Sequence, residues 1–383
     1  ADPVQILGST HPDGSILLDR GVWFFNVRGC RLENMRFSAS IPSRDAISVD
    51  RSEDMAVQQV DVSGSWGTGI GIDLSSNVVV RNFSVAGART NGVANSKSYN
   101  TLLEFGVLWS NALGQIQVRN APRPPRPSGD SNTNGFVTVS NCVLGAFGQR
   151  IPVYAIQGNL QADFNNLFIG SGALAGLAIL ATFEKEYDSV GNWSAETGQD
   201  LHSLSHDPRF ADAGAGDFHL KSSAGRYHPP TGEYVLDSAL ENSPLIDAGD
   251  PARACTEPAP NGGRANIGRH GNTPEASKTP TNAVLTLISF NDGGRAVGTD
   301  VPVNWLARGA ATNATVSISY SADGGATWTL LTNGISASAG LWVWDSTLVA
   351  QSVQAKLKIQ LEDGSGIFTQ SDKLFAVRNQ PFS

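Results

Sequence analysis

The sequence predicts an all-β protein, a parallel β-helix followed by a small β-sandwich. Three observations predict it. Apolar residues recur at a spacing near 23 residues, a Pro-, Asn- and Gly-rich linker ends the recurrence, and alternating strand-length runs follow. Composition agrees: 16% of the residues are charged and glycine numbers 41, a balance suited to strands and turns and not to a helical bundle.

The first repeat column is an apolar triplet. It reads Leu32/Met35/Phe37, Val57/Val60/Val62, Val80/Phe83/Val85, Leu103/Gly106/Leu108, Val139/Cys142/Leu144 and Phe164/Leu167/Ile169, in steps of 25, 23, 23, 36 and 25. The long step holds NAPRPPRPSGDSNTNG (120–135), whose prolines exclude it from a central strand and predict a protruding loop. A second column runs ten residues ahead: Val22/Phe24, Ile47/Val49, Ile70/Ile72, Val93/Asn95 and Ile116/Val118. Its pairs are two residues apart, so each predicts a short strand with one face inward. Constant phase without a recurring NG-type turn excludes hairpins and predicts units stacked strand on strand. A third column, Asn34, Gln59, Asn82, Asn141 and Asn166, broken by Phe105, predicts amides stacked at a bend and bonded from coil to coil.

A net charge of −8 and a pI near 5.3 give no electrostatic footprint for nucleic acid. No apolar run approaches the roughly 18 residues that span a bilayer, so no membrane insertion is expected. Cys30, Cys142 and Cys255 form neither a disulfide framework nor a CxxC metal motif, and Cys142 falls on an inward column. The start at ADPVQ lacks a basic leader and is read as a mature or trimmed terminus.

RDAISVDRSEDMAVQQVDVS and NVVVRNFSV resemble coils of the right-handed parallel β-helix superfamily that includes pectate lyases and polygalacturonases. DPRFADAGAGDFHLKSSAGRY, SPLIDAGDPA and EPAPNGGRANIGRHGNTPEAS resemble the irregular end that closes many secreted bacterial β-helix proteins. From Thr279 onward, VPVNWLA, ATVSISYSADGGATWTLL, GLWVWDS and AKLKIQLED resemble an immunoglobulin- or fibronectin-type module. In such a module Trp328, Trp342 and Trp344 are core residues or, alternatively, sugar-binding ones. The resemblance implies a β-helix over 1–200, its irregular C-terminal cap over 201–276 and the sandwich over 277–383. It also implies a secreted or cell-surface location.

A parallel β-helix offers a groove along its axis, with coils about 4.8 Å apart. On the short-strand column, outward Ser48, Gly71, Ala94 and Gln117 leave backbone open to a ligand. Asp50 and Asp73 follow on adjacent coils, on the order of 5 Å apart. Such a pair suits retaining glycoside hydrolysis. Alternatively, a Ca²⁺ ion on Asp50 and Asp73 would acidify a uronate proton for Lys97, Arg89 or Arg119 as base. Against both stands the plainer role of aspartate as a turn former. The candidate catalytic residues are Asp45, Asp50, Asp73 and Lys97, with Trp23, Arg89, Asn91 and Arg119 binding substrate. Only Asp45 matches the polygalacturonase pattern, where Arg44 and Thr68 replace an aspartate and a histidine. Asp45 and Asp50 match the pectate lyase pattern, whose WIDH element here reads Val57-Gln58-Gln59-Val60. The six histidines lie outside the coils and are expected to be incidental surface residues. His202 and His206 have metal-ligand spacing without a helix to carry it. Glu184, Glu186 and Asp188 are expected in a solvated loop.

The functional expectation is a monomeric carbohydrate-active enzyme, glycoside hydrolase or polysaccharide lyase, whose partner is a polysaccharide in the groove. The alternative is a non-catalytic glycan-binding or adhesion protein.

Overall fold

The structure, a computed structural model, describes residues 20–39, 41–119, 136–179 and 183–378, with the backbone of two short strands, Gln5–Leu7 and Ile16–Leu18. The proline-rich insert at 120–135 lies outside the described residues. Short strands Val22–Phe25, Ile47–Asp50, Ile70–Asp73, Asn91–Ser96, Gly114–Arg119, Pro152–Gln157 and Leu174–Ile179 pair in parallel, each with its successor. Long strands Arg31–Ser38, Glu53–Ser63, Ser76–Ala86 and Tyr99–Trp109 build a second parallel sheet. It continues through shorter strands that end at Ile169. This is a parallel β-helix. Inward residues such as Ile47, Val49, Val57, Val60 and Cys142 are fully buried.

Each of the four long strands bends at a residue with positive φ, Asn34 (55°), Gln59 (50°), Asn82 (51°) and Phe105 (52°), and the next two coils break into two strands at Asn141 (55°) and Phe164 (55°). Asparagine tolerates that conformation better than most residues, which accounts for its use at this bend. Among the described residues, no bond joins these amides from coil to coil as expected. Two of them bond outward to the chain that follows the solenoid: Asn82 Nδ2 donates to the carbonyls of Arg269 (3.1 Å) and Gly271 (2.9 Å), and Asn141 Oδ1 accepts from the Asp250 amide (2.7 Å). A coil-to-coil ladder exists at another bend, where Asn100 donates to Asn77 (3.2 Å) and Asn77 to Asp54 (2.8 Å).

The last coil also differs from the sequence reading. Val139 pairs with Ala162 and Leu144 with Leu167, so the final step is 23 residues and not 25. Asn165, not Leu167, lies against Cys142. Its amide satisfies the Cys142 N–H (3.0 Å), the Val139 carbonyl (3.0 Å) and Asp200 (3.1 Å), so a polar group fills an apolar column.

The segment Glu184–Tyr187 is an antiparallel edge strand and not a free loop; Glu184 and Glu186 face Arg150. Helix Val190–Thr197 follows, capped by the Ser189 hydroxyl and ended by Gly198 with φ 70°. Its Trp193 stacks on Tyr154 (5.5 Å) and closes the C-terminal end of the solenoid core. The irregular segment 201–276 therefore does not close that end; it lies along one side, as its bonds to Asn82 and Asn141 show.

Sheets of three and six strands, antiparallel except where Arg295–Val297 pairs in parallel with Phe375–Arg378, form a C-terminal β-sandwich around Trp305, Trp344, Ile318, Leu357 and Ile359. Trp344 is core, Trp342 packs against the core, and Trp328 is half-buried with Lys358 Nζ 4.7 Å from its ring centroid. No helix of the described residues is long and apolar enough to cross a membrane.

Candidate functional site

The short-strand side matches the expected register. Asp50 pairs with Asp73, Asp73 with Ser96 and Ser96 with Arg119, so one line of strand-end residues runs along the solenoid. Asp45 joins it from the preceding loop. Its Oδ1 accepts from the Thr68 amide (3.2 Å), and a Cβ on Gly71 would stand 2.3 Å from its Oδ2, so glycine there makes its room. Burial raises the Asp45 carboxyl above its ordinary range, against the hydrogen bonds from Thr68. Lys97, Arg89 and Arg119 are exposed, and Trp23 is 65% exposed beside Phe25 at 5.1 Å. Asn91 is not available to a ligand, because it is buried.

The turns after Ile47–Asp50, Ile70–Asp73 and Asn91–Ser96 belong to serine. Arg51, Leu74 and Lys97 take positive φ (50°, 49° and 50°). The following Ser52, Ser75 and Ser98 donate to the carbonyls of Asp50, Asp73 and Ser96 (2.9, 2.8 and 2.9 Å). Ser75 and Ser98 also accept the amides of Ser52 and Ser75 (3.0 Å each). The Asp50 and Asp73 side chains are thus not the turn formers; among the described residues Asp50 pairs with Arg51 Nε at 4.0 Å.

On the long-strand side, one line of outward residues reads Arg36, Asp61, Ser84, Val107, Val143, Asn166. The neighbouring line reads Ser38, Ser63, Ala86, Trp109, Gly145, Phe168. Both change from polar to apolar partway along. Over the apolar end, Leu204, Phe210, Phe218, Leu245, Ile246 and Ile267 of the cap form a second core with Val107 and Val143. Trp109 stacks on Phe168 (5.7 Å) across Gly145, whose Cβ would stand 2.2 Å from the Trp109 ring. Over the polar end the cap stands off, leaving a cleft of about 870 Å³. Arg36, Ser38, Asp61, Ser63 and Ser84 floor it; residues 215–219, 227–230, 269–270 and 273–275 wall it.

Alternation along strand Asp217–Leu220 sends Phe218 into the cap core and His219 to the cleft. Asn82 pins the turn that holds Arg269 and His270. Arg269 binds Asp61 in a fork, Nε to Oδ1 at 2.8 Å and Nη2 to Oδ2 at 3.3 Å, and Ser84 Oγ donates to Asp61 at 2.6 Å. Burial alone would raise the Asp61 carboxyl, but Arg269 and Ser84 outweigh it and bring it down to about 2.

Beside this pair, His219 is 3% exposed and its Nδ1 lies 2.6 Å from Asp217 Oδ1. Its Nε2 has no hydrogen-bond partner and stands 3.7 Å from Glu275 Oε2. His270 Nδ1 lies 3.1 Å from the same oxygen, and the two imidazoles stack with centroids 3.5 Å apart. His219 and His270 together hold the Glu275 carboxyl well below the usual range. Burial, then the neighbouring His219, lowers His270 to about 3. Among the described residues, this trio is where at least three His, Cys, Asp or Glu ligand atoms converge, all within 4.8 Å of one another.

No family model, curated protein or solved structure matches the chain. The site therefore rests on its own geometry. The reading of the histidines as incidental surface residues fails here: His219 and His270 are enclosed, and His206 is largely enclosed with its Nε2 against the Leu287 carbonyl (2.8 Å). His202 is exposed, paired with Asp163 at 2.7 Å, so the HxxxH pair does not converge. The missed signal was the outward line itself. Valine and tryptophan at outward positions announce a covered side, and Arg36 with Asp61 announces where the cover ends.

Proposed function

We propose that the chain is a carbohydrate-active enzyme that cleaves a polysaccharide lying in the cleft between the solenoid and its cap. The convergence of Arg36, Asp61, His219, Arg269, His270 and Glu275 from distant segments supports this most directly, because ionisable groups gathered in a cleft mark a reaction centre. Successive coils about 4.8 Å apart suit a polymer that crosses them. Asn34, Gln59 and Arg36 offer amide and guanidinium groups that can bond a sugar's hydroxyls and carboxylates along that path. Asp61, ionised at neutral pH, stabilises positive charge on the sugar, and the histidine–glutamate wall faces the bond from the other side. A secreted or cell-surface location goes with such a substrate.

The test is a polysaccharide panel assayed for new reducing ends and for unsaturated-product absorbance. Turnover on at least one acidic or neutral polymer is expected. Retention of a glycan without turnover on any would replace the enzyme by a glycan-binding protein.

A further inference from the structure

We propose that His219, His270 and Glu275 form a mononuclear site for a divalent transition metal of the zinc class, opening on the cleft. Three observations carry it. One nitrogen from each histidine and a Glu275 oxygen all lie within 4.8 Å of one another. His219 Nε2 is an enclosed nitrogen with no hydrogen-bond partner, aimed at Glu275 Oε2 3.7 Å away. A buried nitrogen that makes no hydrogen bond, with only the 3.7 Å ion pair to Glu275, is costly, and a metal ion bound by both would satisfy it. Third, Asp217 Oδ1 sits 2.6 Å from His219 Nδ1. A carboxylate behind an imidazole places the proton on Nδ1, leaves the Nε2 lone pair for a metal, and raises its basicity.

The donor set decides the class of ion. Two imidazoles and one carboxylate suit zinc and its neighbours, whereas calcium and magnesium take oxygen ligands. Three protein ligands leave a fourth position, and the cleft supplies the open side for water or a ligand oxygen. The backbone beneath is already held. Phe218 anchors the strand of His219, while Thr273 Oγ donates to the His270 carbonyl (2.7 Å) and accepts the Glu275 amide (3.2 Å). Only the side chains need to move. An ion about 2.0–2.1 Å from both nitrogens must lie near both ring planes. Imidazoles stacked with 17° between planes must therefore splay, and the cleft gives them space.

This inference goes beyond glycan cleavage and is read by binding alone, so either can fail without the other. The full chain is stripped with a chelator and titrated with Zn²⁺ by calorimetry and with Co²⁺ by visible absorption. One equivalent should bind, with ligand-field bands of a low-coordinate site. His219→Ala and Glu275→Gln should each weaken binding at least ~100-fold and abolish the bands, and Asp217→Asn should weaken it about 10–100-fold. His202→Ala should bind as the parent does. Circular dichroism confirms folding, and the near-isosteric Glu275→Gln guards against simple loss of structure. No stoichiometric uptake by the parent, or uptake that survives in folded Glu275→Gln, overturns the site.

Discussion

Two sides of one solenoid use the same repeat in opposite ways. On the short-strand side the turn serines Ser52, Ser75 and Ser98 recur coil after coil, and Asp50 recurs as Asp73 before the line passes to Ser96 and Arg119. On the capped side, equivalent positions diverge from Arg36 to Asp61 to Ser84 to Val107. The repeated positions answer to the coil's own needs, since each buried serine closes the same turn and accepts an amide of the preceding coil. Divergent positions meet something outside the coil. At one end that is an apolar cap core; at the other it is a cleft.

The comparison is broken most severely by removing the cap. Val107→Asp puts an unpaired charge into the core shared by solenoid and cap, and should cost several kcal/mol. Leu245→Ala in the same core should cost about 2–5 kcal/mol. Limited proteolysis should then cut within 201–276, whereas Ala94→Asp, half-exposed on the short-strand side, should leave digestion unchanged.

A smaller effect is expected from Ser75→Ala. Two bonds of this buried hydroxyl are lost, along with the partner of the Ser52 amide, for about 1–3 kcal/mol in chemical unfolding. Asp73→Asn, two residues earlier, should change stability by less than about 0.5 kcal/mol. If Asp73→Asn proved as damaging as Ser75→Ala, the turn would belong to the aspartate after all.

The cap also carries a pH dependence. Burial raises Glu257 to about 7, against the amide bonds from Asn272 (2.8 Å) and Asn266 (2.6 Å). A carboxyl raised in the folded state stabilises fully below its unfolded value near 4.3, and that contribution is lost as pH rises through about 7. Glu257→Gln keeps the acceptor oxygen without the charge. It should flatten the decline between pH 5 and 8 and stabilise the cap at pH 8 by on the order of 2 kcal/mol. Melting temperatures across that range, with Asp45→Asn as the short-strand counterpart, measure it.

The solenoid was legible because its period repeats whatever the residues between do. The final register was not, because Phe164, Leu167 and Ile169 imitate the apolar triplet while Asn165 fills the column as a hydrogen-bonded polar group. The cleft was less legible still. His219 and Glu275 belong to segments that approach only because Val107, Val143 and Asn82 receive the cap, and no local pattern joins them. Asp50 and Asp73 could be placed from sequence for the opposite reason: strand register alone brings them side by side.

The most direct test of the central claim, that the reaction centre lies under the cap, compares polysaccharide turnover in two variants. Asp61→Asn, which also unpairs the buried Arg269 and is therefore compared as protein shown folded by circular dichroism, should lower kcat/KM at least ~100-fold, while Asp50→Asn/Asp73→Asn should stay within about twofold of the parent. The reverse pattern, with activity lost from the short-strand side and retained in Asp61→Asn, would contradict it.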